Sequence, residues 1–192
     1  MTTQTSNVEH VIGLQTKSAG TLFLDLNEYH VFNNVLINAG LRAARIDHVI
    51  VSRYGVFVVE TKNKDGWIFG RPGDSHWTQV LDKKRYSFQN PLRQNHLHTQ
   101  VLAGCFGVNS SCMHSVIVFW GNCEFGTVMP DNVLNNNLIG FIKSKQEVLL
   151  TDNDMEQICR QLQQLRDDTS SLDSWRHPRA LKSRFKHNFS RS

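Results

Sequence analysis

Long apolar runs are missing from this 192-residue chain. No stretch approaches the about 18 consecutive apolar residues that a membrane-crossing helix needs, so no partner membrane is expected. The opening segment, MTTQTSNVEH, has no basic start leading into an apolar core. A secretory signal is therefore not read there, and the expectation is a cytoplasmic protein. Paired cysteines are also lacking. Cys105, Cys112, Cys123 and Cys159 form no C-x-x-C, which argues against a zinc set and, in that compartment, against disulfides; buried free thiols are expected instead. Internal repeats and low-complexity segments are absent.

Hydrophobic residues make up 40% of the chain, enough for the core of one compact domain. The formal charge of +4 is mild, but its distribution is uneven. The terminal stretch WRHPRALKSRFKHNFSRS holds six Arg or Lys and no acid. It is either a solvated tail or a segment drawn to phosphates, with Arg179, Lys182 and Arg184 as candidate contacts. The expected organisation is a single domain over residues 1–172 followed by a basic tail over 173–192.

Periodicity places a helix within residues 8–26, weakened by Gly13 and Gly20. A strand follows over 29–37, with NAGLRAA as a loop. ARIDHVIVS and VFVVETK read as two further strands joined near Arg53-Tyr54. The stretch DGWIFGRPGDSHWTQ is turn-rich with room for a short strand. Asn90-Pro91 opens a helix, with Leu92, Leu97, Val101 and Leu102 as its apolar positions. SVIVFWG reads as a buried strand, LIGFIKSK as a short helix and TDNDMEQICRQLQQL as a longer one. Early strands flanked by helices imply an α/β domain with a mixed sheet.

Charge at the end of the second hairpin needs an explanation. Side chains alternate faces along a strand. A hairpin turn of even length centred on Arg53-Tyr54 therefore sets Asp47 opposite Glu60 and Arg45 opposite Lys62, all on one face. Facing carboxylates repel each other. They are compensated either by Arg45 and Lys62 alone, as solvent-facing charges, or by a divalent cation, since hard cations prefer carboxylate and carbonyl oxygens. In the second case the main-chain carbonyl of Thr61 is a further candidate ligand. The Lys62 ammonium is expected near solvent.

The order of Asp47 followed by Glu60-Thr61-Lys62 resembles the PD-(D/E)XK nuclease pattern. With YHVFNNVLI, HWTQV and FQNPLRQNHLHTQVL around it, the chain is similar to the nuclease-related domain family, NERD, over roughly residues 8–150. That resemblance implies a restriction-endonuclease-like core with a central mixed sheet flanked by helices, and a nuclease dependent on Mg²⁺ or Mn²⁺ with DNA as substrate. It implies that Asp47 and Glu60 hold the metal and that Lys62 stands beside the attacking water. The family's N-P-x-x-Q pattern falls on Asn90, Pro91 and Gln94, making Gln94 the supporting catalytic residue, with His98 second. Trp77 matches an aromatic position suited to packing. Two departures stand out. The Gly-Glu of the family's first helix is replaced by Val8-Glu9, leaving Glu9 as the candidate third acid ahead of Asp25 and Glu28. A residue that is often Gln is Arg45 here. Arg45 and Lys64 are candidate nucleic-acid contacts. An inactive nucleic-acid-binding module and a protein-interaction adaptor on the same fold are the alternatives to a nuclease.

Overall fold

The computed structural model describes residues 24–39 and 42–170. The helix expected within 8–26, Glu9 and the basic tail with Arg179, Lys182 and Arg184 lie outside the described residues.

The first three strands are β1 (His30–Ala39), β2 (Arg42–Ser52) and β3 (Gly55–Asn63). They form consecutive antiparallel hairpins. β7 (Met113–Trp120) joins β3 in parallel and β9 (Val133–Leu134) joins β7 in parallel, giving a mixed sheet in the order β1-β2-β3-β7-β9. The expected loop NAGLRAA is instead mostly strand, with β1 ending at Ala39 and β2 beginning at Arg42.

Alternation along β3 splits its apolar residues between two cores. Val56 and Val58 pack with Val49, Val51 and residues of two helices, α1 (Pro91–Phe106) and α3 (Asp152–Ser170), among them Leu102, Phe106, Ile158 and Leu162. Phe57 and Val59 face the other way, against Ile139 and Ile142 of α2 (Leu138–Lys143). The central strand is thus covered on both faces, which explains its continuous apolar run.

The turn-rich stretch after β3 holds more structure than its sequence suggests. β4 (Gly66–Phe69), β5 (His76–Leu81), β6 (Lys84–Gln89) and β8 (Cys123–Phe125) form a second sheet in the order β6-β5-β4-β8. The parallel pair β3–β7 passes directly into the parallel pair β4–β8, bridged by Lys64 N–H to the Trp120 carbonyl and Gly66 N–H to the Asn122 carbonyl. Gly121 sits in that bridge with φ 112°, where a Cβ would lie 2.6 Å from the Lys64 carbonyl. Trp77 is buried and stacks over Phe119, in agreement with a packing role. Cys105 is exposed and the other cysteines are half-buried and unpaired, correcting the expectation of buried thiols.

α1 begins as expected, with Asn90 as N-cap accepting from Leu92 N–H and Pro91 in the first turn. The Asn90 amide also ties the helix start to the carbonyls of Pro72 and Asp74. Its buried face differs from expectation. Leu97 is 54% exposed, whereas Asn95, His98 and Thr99 are buried. A polar helix face turned toward the sheet marks the place where Glu60 and Lys62 of β3 meet it.

Candidate active site

The expected hairpin register is the one found. The turn is Arg53-Tyr54, and the β2–β3 ladder runs from Ser52↔Gly55 to His48↔Val59. The ladder stops there, one step short of Asp47. On the other edge of β2, Asn33↔His48 and Val35↔Ile46 are paired, while Asn34, between them and facing Asp47, has φ 54°. Asn adopts this left-handed conformation more readily than most residues. Asp47 therefore sits in an inner strand whose regular pairing lapses on both sides, with the β1–β2 register unchanged across the lapse.

Side-chain bonding replaces the missing ladder. Asp47 Oδ2 accepts from the Thr61 N–H at 2.8 Å and from the Thr61 hydroxyl at 2.6 Å. Its other oxygen, Oδ1, lies 4.0 Å from the Arg45 guanidinium, which is 66% exposed. Thr61 thus fixes Asp47 through its N–H and hydroxyl, a link that its expected role as a carbonyl ligand does not include.

Glu60 is the last fully buried residue of β3, after which Thr61 and Lys62 are half-buried. Its Oε1 accepts from Lys62 Nζ at 2.6 Å, and the same ammonium donates to Gln94 Oε1 on α1 at 3.1 Å. The Lys62 side chain is only 20% exposed. The ammonium is therefore held inside the site rather than near solvent, because the adjacent carboxylate and the Gln94 carbonyl replace its hydration.

The second Glu60 oxygen is left alone. Oε2 is buried without a hydrogen-bond partner, and so is His98 Nδ1, which faces it at 3.8 Å. Both side chains are 5% exposed. Burial holds the His98 imidazole below its ordinary pKa; Glu60 and Asp47 pull it upward, and Lys62 adds to the lowering. His98 is accordingly neutral at neutral pH.

Asn95, one residue after Gln94, secures the helix to the sheet. Its amide donates to the Val58 carbonyl at 2.8 Å and the Ser115 hydroxyl at 2.9 Å, spanning β3 and β7. Gln94 and His98 are thereby held at a fixed height over Glu60. Neither Asn95 nor Asn34 was found by sequence reasoning. The two adjacent asparagines in a strand and the polar run QNHLH at a buried helix face were the available signals.

The remaining candidates lie elsewhere. Lys64 donates to Gln79 Oε1 at 3.2 Å and stands over the Phe88 ring, turned toward the second sheet. Asp25 accepts from Asn27 in a surface turn, and Glu28 bonds Tyr54 at the opposite end of the hairpin. Neither joins Asp47 and Glu60. Among the described residues, no group of three or more His, Cys, Asp and Glu side chains is placed to hold a metal ion. The donor chemistry nevertheless fits a divalent cation: two carboxylates from neighbouring strands, with one buried oxygen lacking any partner. No helix among the described residues is long and apolar enough to cross a membrane.

The pattern of the family described as nuclease-related domain (NERD) matches residues 13–120. An uncharacterized protein of Bacillus anthracis is 33% identical over 141 residues, covering 70% of this chain and 66% of the relative. The chain thus spans just under two thirds of that relative's length. No solved structure matches significantly.

Proposed function

The chain belongs to the nuclease-related domain family, and from that premise we propose that its site hydrolyses nucleic-acid phosphodiester bonds, with DNA as substrate and Mg²⁺ or Mn²⁺ as the ion. The observation that carries the reading is the Glu60 carboxylate, buried at the sheet's edge of exposure with one oxygen on Lys62 and the other unpartnered. Asp47 and Glu60 are the residues that would hold the ion. When bound, such an ion neutralises phosphate charge and makes water more acidic.

The chain's own groups supply the rest. Lys62 presents a fixed ammonium to negative charge developing on the phosphate, and Gln94 orients it through their 3.1 Å bond. Thr61 aligns Asp47. Arg45 and the basic tail residues Arg179, Lys182 and Arg184 attract the nucleic-acid backbone, which makes binding salt-sensitive and weakly sequence-selective. In this reading residues 1–172 are the nuclease unit, residues 173–192 are an appendage, and the setting is cytoplasmic.

The test is cleavage of plasmid DNA, single-stranded DNA and RNA with Mg²⁺ or Mn²⁺, set against EDTA and Lys62→Ala. The expected outcome is DNA cleavage abolished by the chelator and lowered at least a hundredfold by the substitution, of the order lost with one electrostatic stabiliser. Cleavage surviving both treatments refutes the assignment. A second reading, a nucleic-acid-binding module without catalysis, is favoured by the present bonding, since Lys62 already neutralises Glu60 and Thr61 occupies Asp47. It predicts salt-dependent DNA binding without Mn²⁺ binding or cleavage.

A further inference from the structure

We propose that the second sheet presents Lys64 and Tyr86 as a track for one unpaired strand, Lys64 holding a phosphate and Tyr86 stacking on a base, so that the site takes single-stranded DNA in preference to duplex. The inference deepens the nuclease reading and rests on it.

The end of β3 links this track to the candidate site. Lys62 and Lys64 are two residues apart, about 6.5 Å along the chain. Lys62 turns to Gln94 on α1, whereas Lys64 reaches on to Gln79 of β5. The Lys64 ammonium donates to Gln79 Oε1 at 3.2 Å and lies 4.7 Å from the centre of the Phe88 ring. Gln79 is itself buried and fixed, its amide donating to the Asp65 carbonyl at 2.8 Å. An ammonium has three donors, and Gln79 takes one. Lys64 is half-buried, so the other two can meet an oxygen arriving from solvent.

Register sets Tyr86 on the same face. Ile68, Gln79 and Tyr86 stand opposite one another across β4, β5 and β6, so their side chains project together. At its inner end this face is core, built on Ile68 and Trp77. The core stops at Gln79. Tyr86 beyond it is 46% exposed, although alternation puts it on the covered side. It is two residues from Phe88, whose ring carries the Lys64 ammonium. Lys84 shares the face, and none of its strand residues is acidic; Asp65 and Asp82 lie between the strands. The opposite face exposes Trp67 at 48% but pairs it with Glu124, an acid that repels phosphate.

A fixed cation beside an open aromatic ring suits a single strand. Stacking on an aromatic side chain accepts any base, because each has a π-face, and this matches weak sequence selectivity. In a duplex the bases are already stacked and paired, and the ring can take one only after it is extruded.

The test uses the full chain. Binding is measured in EDTA by fluorescence anisotropy, with a labelled single-stranded oligonucleotide and a duplex of equal length, and cleavage of both in Mn²⁺. The unsubstituted chain should bind the single strand more tightly. Tyr86→Ala should weaken single-strand binding at least about fivefold, the low end for one base stacked on an aromatic side chain, and leave duplex binding unchanged. Its KM for single-stranded DNA should rise by the same order with little change in kcat, as when uniform binding is lost. Tyr86→Phe keeps the ring and should bind like the unsubstituted chain. Lys64→Gln should reduce the salt slope of single-strand binding by about 0.7, the share of one phosphate contact. An oligonucleotide carrying 5-iodouracil should photocrosslink to the peptide holding Tyr86, a readout that needs no variant.

Tighter binding of the duplex by the unsubstituted chain overturns the inference. So does single-strand binding unchanged in Tyr86→Ala, an equal loss for both DNA forms, a loss in Tyr86→Phe as large as in Tyr86→Ala, an unchanged salt slope in Lys64→Gln, or a crosslink that misses Tyr86. Any of these alongside metal-dependent cleavage sinks this inference alone and leaves the proposed function standing. Neither binding nor cleavage by the unsubstituted chain refutes both.

Discussion

Replacing Lys62 with methionine keeps most of the side-chain stem and removes the ammonium that stands 2.6 Å from Glu60 Oε1. Since Glu60 Oε2 already has no partner, the variant leaves a carboxylate that is 5% exposed with neither oxygen bonded. Removing one member of a buried ion pair costs about 3–5 kcal/mol. The Lys62 side chain retains 20% exposure, so water reaches part of the vacated space and the low end applies, about 3 kcal/mol. Adding Glu60→Gln removes the stranded charge. The double variant should recover at least about 2 kcal/mol of the loss, a non-additivity expected of directly bonded residues. Urea denaturation at pH 7.5 with unchanged m-values measures both quantities. A cost for Lys62→Met below about 1 kcal/mol, the size seen for exposed pairs, would refute the claim that this ammonium is the internal counter-charge of Glu60. Strict additivity in the double variant would refute it equally.

Asn95→Ala should destabilise the fold by about 2–4 kcal/mol, because two hydrogen bonds linking α1 to β3 and β7 are lost and a small cavity opens at a fully buried position; a cost under about 1 kcal/mol in the same denaturation assay contradicts the anchoring role. Burial lowers the His48 and His114 imidazoles below their ordinary values. Groups with pKa values depressed on folding bind protons more readily in the unfolded chain, so stability is full above the unfolded value of about 6.5 and declines as pH falls toward the folded values. Melting temperatures measured between pH 7.5 and 5 should therefore fall on acidification, with a shallower slope in His48→Gln. A melting temperature that rises toward pH 5 contradicts the assigned direction.

The β2–β3 hairpin was legible because its apolar residues run up to a two-residue turn and its register follows from that turn. Asn90-Pro91 announced α1 in the same local way. NAGLRAA misled because Asn and Gly punctuate the chain as turns do, yet residues 40–41 alone separate the two strands. The second sheet was hidden for a different reason. β6 is exposed along nearly all its length, so its residues KRYSFQ carry no alternating burial to read. In the candidate site, Asp47, Glu60 and Lys62 were legible from register and family resemblance together. The burial of Lys62 was not, since it depends on Gln94, a residue distant in sequence. Apolar spacing also put Leu97 on the buried face of α1, where Asn95 and His98 stand instead. Polar bonding to the sheet overrode the hydrophobic pattern there, which is where a functional site is expected to break local rules.

The same logic accounts for the position of Glu60 along its strand. Residues Gly55–Val59 are buried on both faces, and from Thr61 onward β3 opens toward solvent. A carboxylate placed earlier would need full internal compensation and could meet nothing from outside. One placed later would be hydrated, and its charge would act weakly. At this boundary Lys62 can neutralise one oxygen from the exposed side while α1 shields the other from water. Asp47 reaches the boundary only because the ladder lapses around it, so that Thr61 bonds its side chain in place of a neighbouring carbonyl. The irregularity in β2 and the burial gradient in β3 are therefore one arrangement: an inner strand pair whose ladder ends early, with one acidic side chain bonded by Thr61 and the other by a half-buried ammonium.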